Sequence, residues 1–389
     1  MRQQLAVAAL TLAGLTAAGP AFAIPAFERR YQAQCHFCHE GYPKLNAIGQ
    51  RFKERGFRMQ REDGFDAGAW LDSIPVAMRA FGTQTFLEEA EDATTGFFKA
   101  LSAGNLGGRF SYWIDDAVLI QEGEDSFDHV NPDNLWLRFE VIEGGKLYAR
   151  AGRIEMDLPF TQTRTPHLFS YDIYFANTGF ETDNIGDHQD GVEIGGDLPS
   201  DFRWSAALVE GHNAAGAEEL SDETGEFDAN LFLRLSKRVA RHRFGAFAYF
   251  GRNTLALSPD VVWEDDLIRL GLDANVWLDR LNLYGVFVYG SNNNPIATEE
   301  QPLGTQQELS YNGGFVQADF HARDNVALTL RLNLVSQPPP GTADSKQTYS
   351  GLFPGIQFWF MRRFKLSFEY GFLNQERPSF GALQAEVAF

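Results

Sequence analysis

The two cysteines of this chain stand three positions apart, in Cys35-His36-Phe37-Cys38-His39. Two thiols at this spacing can add across the two vinyl groups of a haem, and the imidazole that follows can then ligate its iron. The motif therefore predicts one covalent haem c on Cys35 and Cys38, with His39 as proximal ligand. Met59, the methionine nearest in sequence, is the candidate for the sixth position, where it would raise the potential; packing is its alternative use. His36 lies inside the attachment loop and is badly placed for the distal face. Three other readings stay open. A CxxC redox pair does not need the adjacent histidine and normally sits in a βαβ context. A zinc site needs ligands from a second segment, and no further cysteine follows. Chance occurrence is the third.

The elements that would position these residues are short. Pro43 can occupy a first helical position, Leu45, Ile48 and Phe52 form one apolar stripe, and Gly56 is a stop. Laid on a macrocycle, that stripe would shield it from water. Residues 24–62 are too few to bury a sufficient core alone, so a second surface is expected. They carry eight Lys/Arg against four acids, whereas the whole chain carries a net charge of -19. A basic plug inside an acidic barrel is electrostatically consistent with that contrast.

Ahead of this segment, residues 1–23 read as an export signal. Arg2 supplies the positive end, Leu5 to Ala18 the apolar run, and Ala21-Phe22-Ala23 a small-x-small cleavage site. Gly19-Pro20 interrupts the run, which is too short to span a bilayer. Nothing later offers about 18 uninterrupted apolar residues, which excludes transmembrane helices. A disulfide scaffold is excluded by the cysteine count, and nucleic-acid binding disagrees with a pI near 4.8.

From about Pro75 onward apolar residues recur at every second position. Leu328, Leu330, Leu332 and Leu334 face one way while Thr329, Arg331 and Asn333 face the other. Ile268 to Val276 and Leu366 to Phe372 repeat the pattern, with Arg269, Asp273, Lys365 and Glu369 on the opposite side. Met78 shares its outward face with Val76 and Ala80. Charges on the inward face argue for a wet interior rather than a sandwich core. The runs predict a mainly β fold, an antiparallel transmembrane barrel of about 16 strands. Short turns, such as 143–145, 199–200, 279–280 and 322–325, alternate with longer loops, among them 157–188, 211–225, 253–264 and 292–308. A meandering barrel with short periplasmic turns and longer outer loops produces that alternation. The last strand alternates to a terminal Phe389, which resembles the C-terminal signature of outer-membrane barrels.

Acidic clusters occupy three of the outer loops: Glu88, Glu89, Glu91 and Asp92; Glu122, Glu124, Asp125 and Asp128; Glu218, Glu219, Asp222 and Glu223. Carboxylates could concentrate hard cations there, or merely keep the loops solvated. The loop holding Asp183, Asp187, His188 and Asp190 is the best ion-site candidate, and could instead fold inward to narrow the pore.

Taken together, the haem motif, Tyr42-Pro43-Lys44-Leu45-Asn46 after it, Ile24-Pro25-Ala26-Phe27 before it and the barrel resemble the fused outer-membrane monohaem cytochrome–porins, which include the cytochromes of iron-oxidising bacteria. The resemblance implies electron transfer from an extracellular donor such as Fe(II), through one haem, to a periplasmic carrier such as a soluble cytochrome c, with possible Fe(II) oxidase activity. It implies four segments: an export signal over 1–23, a monohaem segment over 24–62 in the lumen, a linker over 63–74 and an outer-membrane barrel over 75–389. Two rivals remain: a porin-like channel gated or sensed by the haem segment without net electron transfer, and a soluble periplasmic cytochrome with a β-rich partner domain.

Overall fold

A computed structural model describes residues 27, 31, 37–41, 44–59, 76–87, 93–106, 108–122, 126–128, 134–160, 168–169, 171–174, 185–186, 188–210, 229–258, 261–294, 308–338, 346–360, 364–374 and 379–388. The expected export signal, Cys35, the 63–74 linker, the cluster at Glu88 to Asp92 and Phe389 lie outside these residues.

Two short strands, β1 (His39–Gly41) and β2 (Lys44–Leu45), pair with one another and precede the helix α1 (Ala47–Glu54). The barrel follows. Its first half comprises β3 (Val76–Leu87), β4 (Ala93–Asn105), β5 (Phe110–Glu122), the three-residue β6 (Ser126–Asp128), β7 (Asn134–Ile142), β8 (Leu147–Glu155), β9 (His188–Leu198) and β10 (Phe202–Glu210). The second half comprises β11 (Ala229–Val239), β12 (His242–Ser258), β13 (Val261–Leu278), β14 (Leu281–Asn292), β15 (Leu309–Arg323), β16 (Val326–Gln337), β17 (Gln347–Phe360), β18 (Phe364–Leu373) and β19 (Phe380–Ala388). All barrel pairings are antiparallel, and β19 closes on β3 from Phe380↔Leu87 to Ala388↔Arg79. Sixteen strands form the wall; β6 is a short flap on β5, which pairs directly with β7.

The alternation read from the sequence is the alternation of the wall. On β16, Leu328, Leu330, Leu332 and Leu334 are exposed outward, while Thr329, Arg331 and Asn333 are buried inward. Outward Leu272 on β13 and Val316 on β15 are 63% and 62% exposed, whereas inward Arg269 and Arg331 are at 0% and 1%. A closed cylinder that turns leucine and phenylalanine outward all round and hides its arginines is built for hydrocarbon. The closed ladder leaves no strand edge to be satisfied by absent water. No helix among the described residues is long and apolar enough to cross a membrane; the strands cross.

Inward charges pair across the wall. Arg234 on β11 binds Asp273 on β13 at 3.0 Å, reaching over the intervening β12. Gly245 makes this possible, since a Cβ there would stand 2.5 Å from the Asp273 carboxylate and 2.8 Å from the Arg234 guanidinium. Arg331 on β16 likewise binds Glu369 on β18 at 3.2 Å, and Glu386 on β19 takes both Arg79 and Lys365 at 2.7 Å.

One expected loop is shorter than read. Residues 253–258 and 261–264 continue β12 and β13, paired from Asn253↔Asp265 to Ala256↔Val262. Leu255, Ala256, Val261 and Val262 carry enough β character to extend the strands.

The outward face sets a first expectation. Leu330→Arg should destabilise the barrel by about 2–4 kcal/mol if it sits near the bilayer midplane, read as a lowered urea midpoint in vesicles. The luminal change Thr329→Ser should leave that midpoint within about 0.5 kcal/mol of its original value.

Candidate functional site

The helix α1 begins one residue after Asn46, whose side chain accepts hydrogen bonds from the amides of Ile48 and Gly49 at 2.9 Å. An asparagine in extended conformation is a good N-cap, so the start falls here rather than at Pro43, which lies outside the described residues. Asn46 also ties down the preceding turn: its Nδ2 donates to the Phe37 carbonyl at 3.0 Å and its backbone N–H to the Cys38 carbonyl at 2.9 Å. At the other end Gly56, with φ +64°, turns the chain out of the helix.

The expected apolar stripe divides. Phe52 is 6% exposed and Ile48 45%. Phe52 packs edge-on against Phe27 (4.8 Å) and Tyr31 (5.4 Å), and Phe57 continues the cluster to Trp113 and Trp136 of the wall at 5.2 and 6.0 Å. Tyr31 Oη donates to the Phe57 carbonyl at 2.7 Å. Met59 packs against this aromatic cluster.

Ion pairs then fasten the segment to the inner wall. Lys44 Nζ binds Asp319 at 2.6 Å, donates to Asn282 Oδ1, and lies 4.3 Å from the Tyr284 ring centroid. Lys53 binds Glu155 at 3.0 Å and Arg58 binds Glu140 at 2.8 Å. Glu54 runs the other way. Its carboxylate takes Arg238 at 2.9 Å and Arg243 at 3.0 Å, with Arg203 at 3.9 Å, while its backbone carbonyl accepts from Arg138 at 2.6 Å. Residues 44–59 thus form a luminal plug. It sits at the short-turn end, where Arg238 and Arg243 flank the β11–β12 turn and Arg55 lies against the turn at Gly145.

A second obstruction comes from the 156–187 segment between β8 and β9. Met156, Leu158, Phe160, Tyr171, Ile173, Tyr174 and Ile185 are buried in the barrel. Tyr171 stacks on Phe315 at 3.8 Å, Arg331 donates to the Phe169 carbonyl at 2.8 Å, and the Leu168 amide donates to Glu369 at 2.9 Å. This is the inward-folding alternative for that loop. Of the ion site expected there, Asp183 and Asp187 lie outside the described residues, while His188 meets Asn134 at 3.0 Å and Asp190 faces Arg153 at 3.6 Å.

Between plug and loop lies a space of about 970 Å³, partly open to solvent. Arg138, Arg150 and Arg203 line one side, and Glu155, Asp157 and Glu193 stand among them. Tyr148 organises this wall: its hydroxyl donates to Glu193 at 2.6 Å, and Arg138 lies 3.9 Å from its ring centroid. Phe160 and Tyr284 supply an apolar floor, 4.5 Å apart. Such a space presents paired charges of both signs to a polar solute.

The plug's own carboxyls are tuned in opposite directions. Burial works against ionisation of Glu54, but Arg243, Arg203 and Arg238 overcome it and hold the group below its usual range. Burial pushes Glu40 up to about 7, against the attraction of Lys44 and Arg241. Burial also raises the Cys38 thiol.

The structure places Cys38 as a free, half-buried thiol in the turn before β1 and His39 on β1 itself, while Cys35 lies outside the described residues. The haem reading is corrected. Among the described residues no group of three or more His, Cys, Asp and Glu is arranged to hold a metal ion. Phe52, expected to shield a macrocycle, is committed to the aromatic cluster, and Ile48 turns away from it. The α-helical segment is therefore seen as a plug, with no distinct cytochrome unit.

No family model and no curated protein matches this sequence. Solved structures match the fold. The outer-membrane protein OmpT of Vibrio cholerae, in its trimer form, aligns at a TM-score of 0.54 with 10% identity, over 81% of this chain and 99% of that one. OmpF of Salmonella typhi, in complex with daunomycin, gives 0.57 and 9%, over 81% and 97%. The outer-membrane channel DcaP of Acinetobacter baumannii gives 0.57 and 12%, over 84% and 100%. The chain is a transmembrane β-barrel with the architecture of outer-membrane porins. These likenesses overturn the cytochrome–porin resemblance, and with it the covalent haem c, the Fe(II) donor, the periplasmic cytochrome partner and the electron path.

Docking of the plug should depend on pH in both directions. Docked Glu40 keeps its proton to about pH 7, while a solvated glutamate loses it near 4.3; docking therefore weakens as pH rises between those values. Docked Glu54, held low, contributes stability that is present above the ordinary carboxylate range and is lost as pH falls below it. Hydrogen exchange of α1, corrected for intrinsic rates, should be slowest near pH 5 and faster at both pH 3.5 and pH 8. Glu54→Gln should accelerate that exchange by roughly a hundredfold, about 3 kcal/mol for buried arginines deprived of their carboxylate.

Proposed function

We propose that this protein is a solute channel of the outer membrane whose lumen is closed at the short-turn, periplasmic end by its own N-terminal plug, and that the plug is the gate. The observation that carries this reading is the chemistry of the plug–wall contact. Lys44, Lys53, Glu54 and Arg58 meet the wall through ion pairs in a polar lumen, not through a continuous dry core. These pairs are largely buried, so separating them costs several kcal/mol until water and counterions enter the seam; the closed position is the resting one, and the plug can leave without unfolding the barrel. The aromatic cluster around Phe57 would serve as the hinge side, because it ties the plug to β5 and β7.

The fold's resemblance to a structure described as an outer-membrane channel, and to OmpF with a small molecule bound, supports a channel. In this reading residues 1–23 direct export, 24–62 form the plug segment, 63–74 link it to the wall and 75–389 build the barrel. The mixed charges around the inner space favour small, hydrated, polar solutes over apolar ones.

Planar-bilayer recordings test this directly. The full-length chain should show low conductance with infrequent openings, and deletion of residues 37–59 should raise mean conductance several-fold while leaving heat-modifiable mobility on gels unchanged. Equal conductance from both forms would discard the gate.

A further inference from the structure

At the short-turn mouth a recess of about 550 Å³ opens between the plug and the wall. The plug contributes Arg51 and Arg55, four residues apart and therefore on one side of the helix end. Both are exposed, and among the described residues neither makes an ion pair. The wall contributes Arg203 from β10, Arg238 from β11 and Arg243 from β12. These three already share a single carboxylate, that of Glu54. Asp197, which binds Arg203 at 3.2 Å, and Asp201 stand on the rim. Five guanidinium groups thus converge with four carboxylates, since Asp157 also attracts Arg203 and Arg243.

This excess has a consequence for the gate. Two arginines on the moving part face three on the fixed part, and Glu54 cannot neutralise all of them. A small doubly charged anion placed between would accept from Arg51 or Arg55 on one side and from Arg238 or Arg203 on the other. Guanidinium forks suit the oxygens of phosphate and carboxylate in this geometry.

The geometry points to an oxyanion site at the plug–wall seam, one that takes inorganic phosphate or a phosphate monoester and clamps the plug in its closed position. Its ligand binds only when both halves are together, so by linkage it favours the docked state in proportion to its concentration above Kd. The recess opens at the rim of the barrel, so an anionic phospholipid headgroup offers the same oxygens; the free anion is the source if phosphate binds equally well with and without anionic phospholipid in the detergent micelle. The clamping role rests on the plug being a gate; the binding does not.

The probe is inorganic phosphate, with chloride at equal ionic strength as the control, applied to the purified full-length protein. Equilibrium dialysis should give one saturable site, and the double variant Arg51→Gln/Arg55→Gln should bind about tenfold or more weakly, as expected for the loss of a charge-assisted hydrogen bond. Phosphate should also slow hydrogen exchange of α1 and reduce channel opening, and neither effect should appear in the double variant. Those two arginines are exposed, so the variant's barrel should keep its gel mobility. Absence of saturable binding, or equal binding by the variant, overturns the site. Saturable binding that speeds exchange of the helix overturns the clamp. A plug deletion that leaves conductance unchanged removes the gate while the dialysis result still stands or falls alone.

Discussion

Hydrocarbon offers no partner to a backbone N–H, and the rest of this structure follows from that. Each strand must be paired on both sides, so β19 has to return to β3 and the sheet has to close. Closure separates two solvents along every strand. Leu330 and Arg331, adjacent in sequence, end in lipid and in a polar lumen. With sixteen strands the lumen is too wide for wall side chains alone to fill it. Among the described residues, what enters it is supplied from outside the wall: residues 44–59 at one end, and Met156 to Phe160, Tyr171 to Tyr174 and Ile185 further in. The plug is thus held by the same inward charges that the membrane forces away from its outer face.

The wall was legible because its code is local and repetitive. The short turns read at 143–145, 199–200 and 279–280 fall between observed strands, and the Thr329–Arg331–Asn333 face points inward as expected. The loop read at 253–264 is mostly strand because tolerance of polar residues such as Asn253 in a strand depends on the neighbouring strand, which the sequence alone does not show. The helix start was misplaced for a similar reason. Proline at a first turn is a sequence habit, but the cap that decided the matter is the extended backbone at Asn46.

The plug interface was legible only in sum. Net charge suggested a basic segment in an acidic barrel, and Lys44, Lys53 and Arg58 do meet acids. Glu54 reverses the pattern, because the wall near the β11–β12 turn is locally basic. Composition averages over a surface, while docking is decided by which few groups face each other. The cysteine motif shows the limit from the other direction. Its spacing is compatible with a haem, but spacing carries no information about where the surrounding apolar groups go. Phe52 was free, in sequence, to cover a cofactor; in the folded chain it packs on Phe27, Tyr31 and Phe57, and Phe57 carries the cluster to Trp113 and Trp136.

The unbroken β12–β13 hairpin gives the rim an uneven height. These strands run to 17 and 18 residues, whereas about 9–11 tilted residues suffice to cross a bilayer. At roughly 3.3 Å per residue the surplus projects about 20 Å beyond the lipid. Cross-strand pairs from Arg252 to Asp266 at 2.7 Å and to Glu264 at 3.2 Å stiffen its base. The outer entrance is therefore sheltered on this side by a rigid parapet, and a molecule arriving from the medium meets a lopsided mouth rather than a level ring.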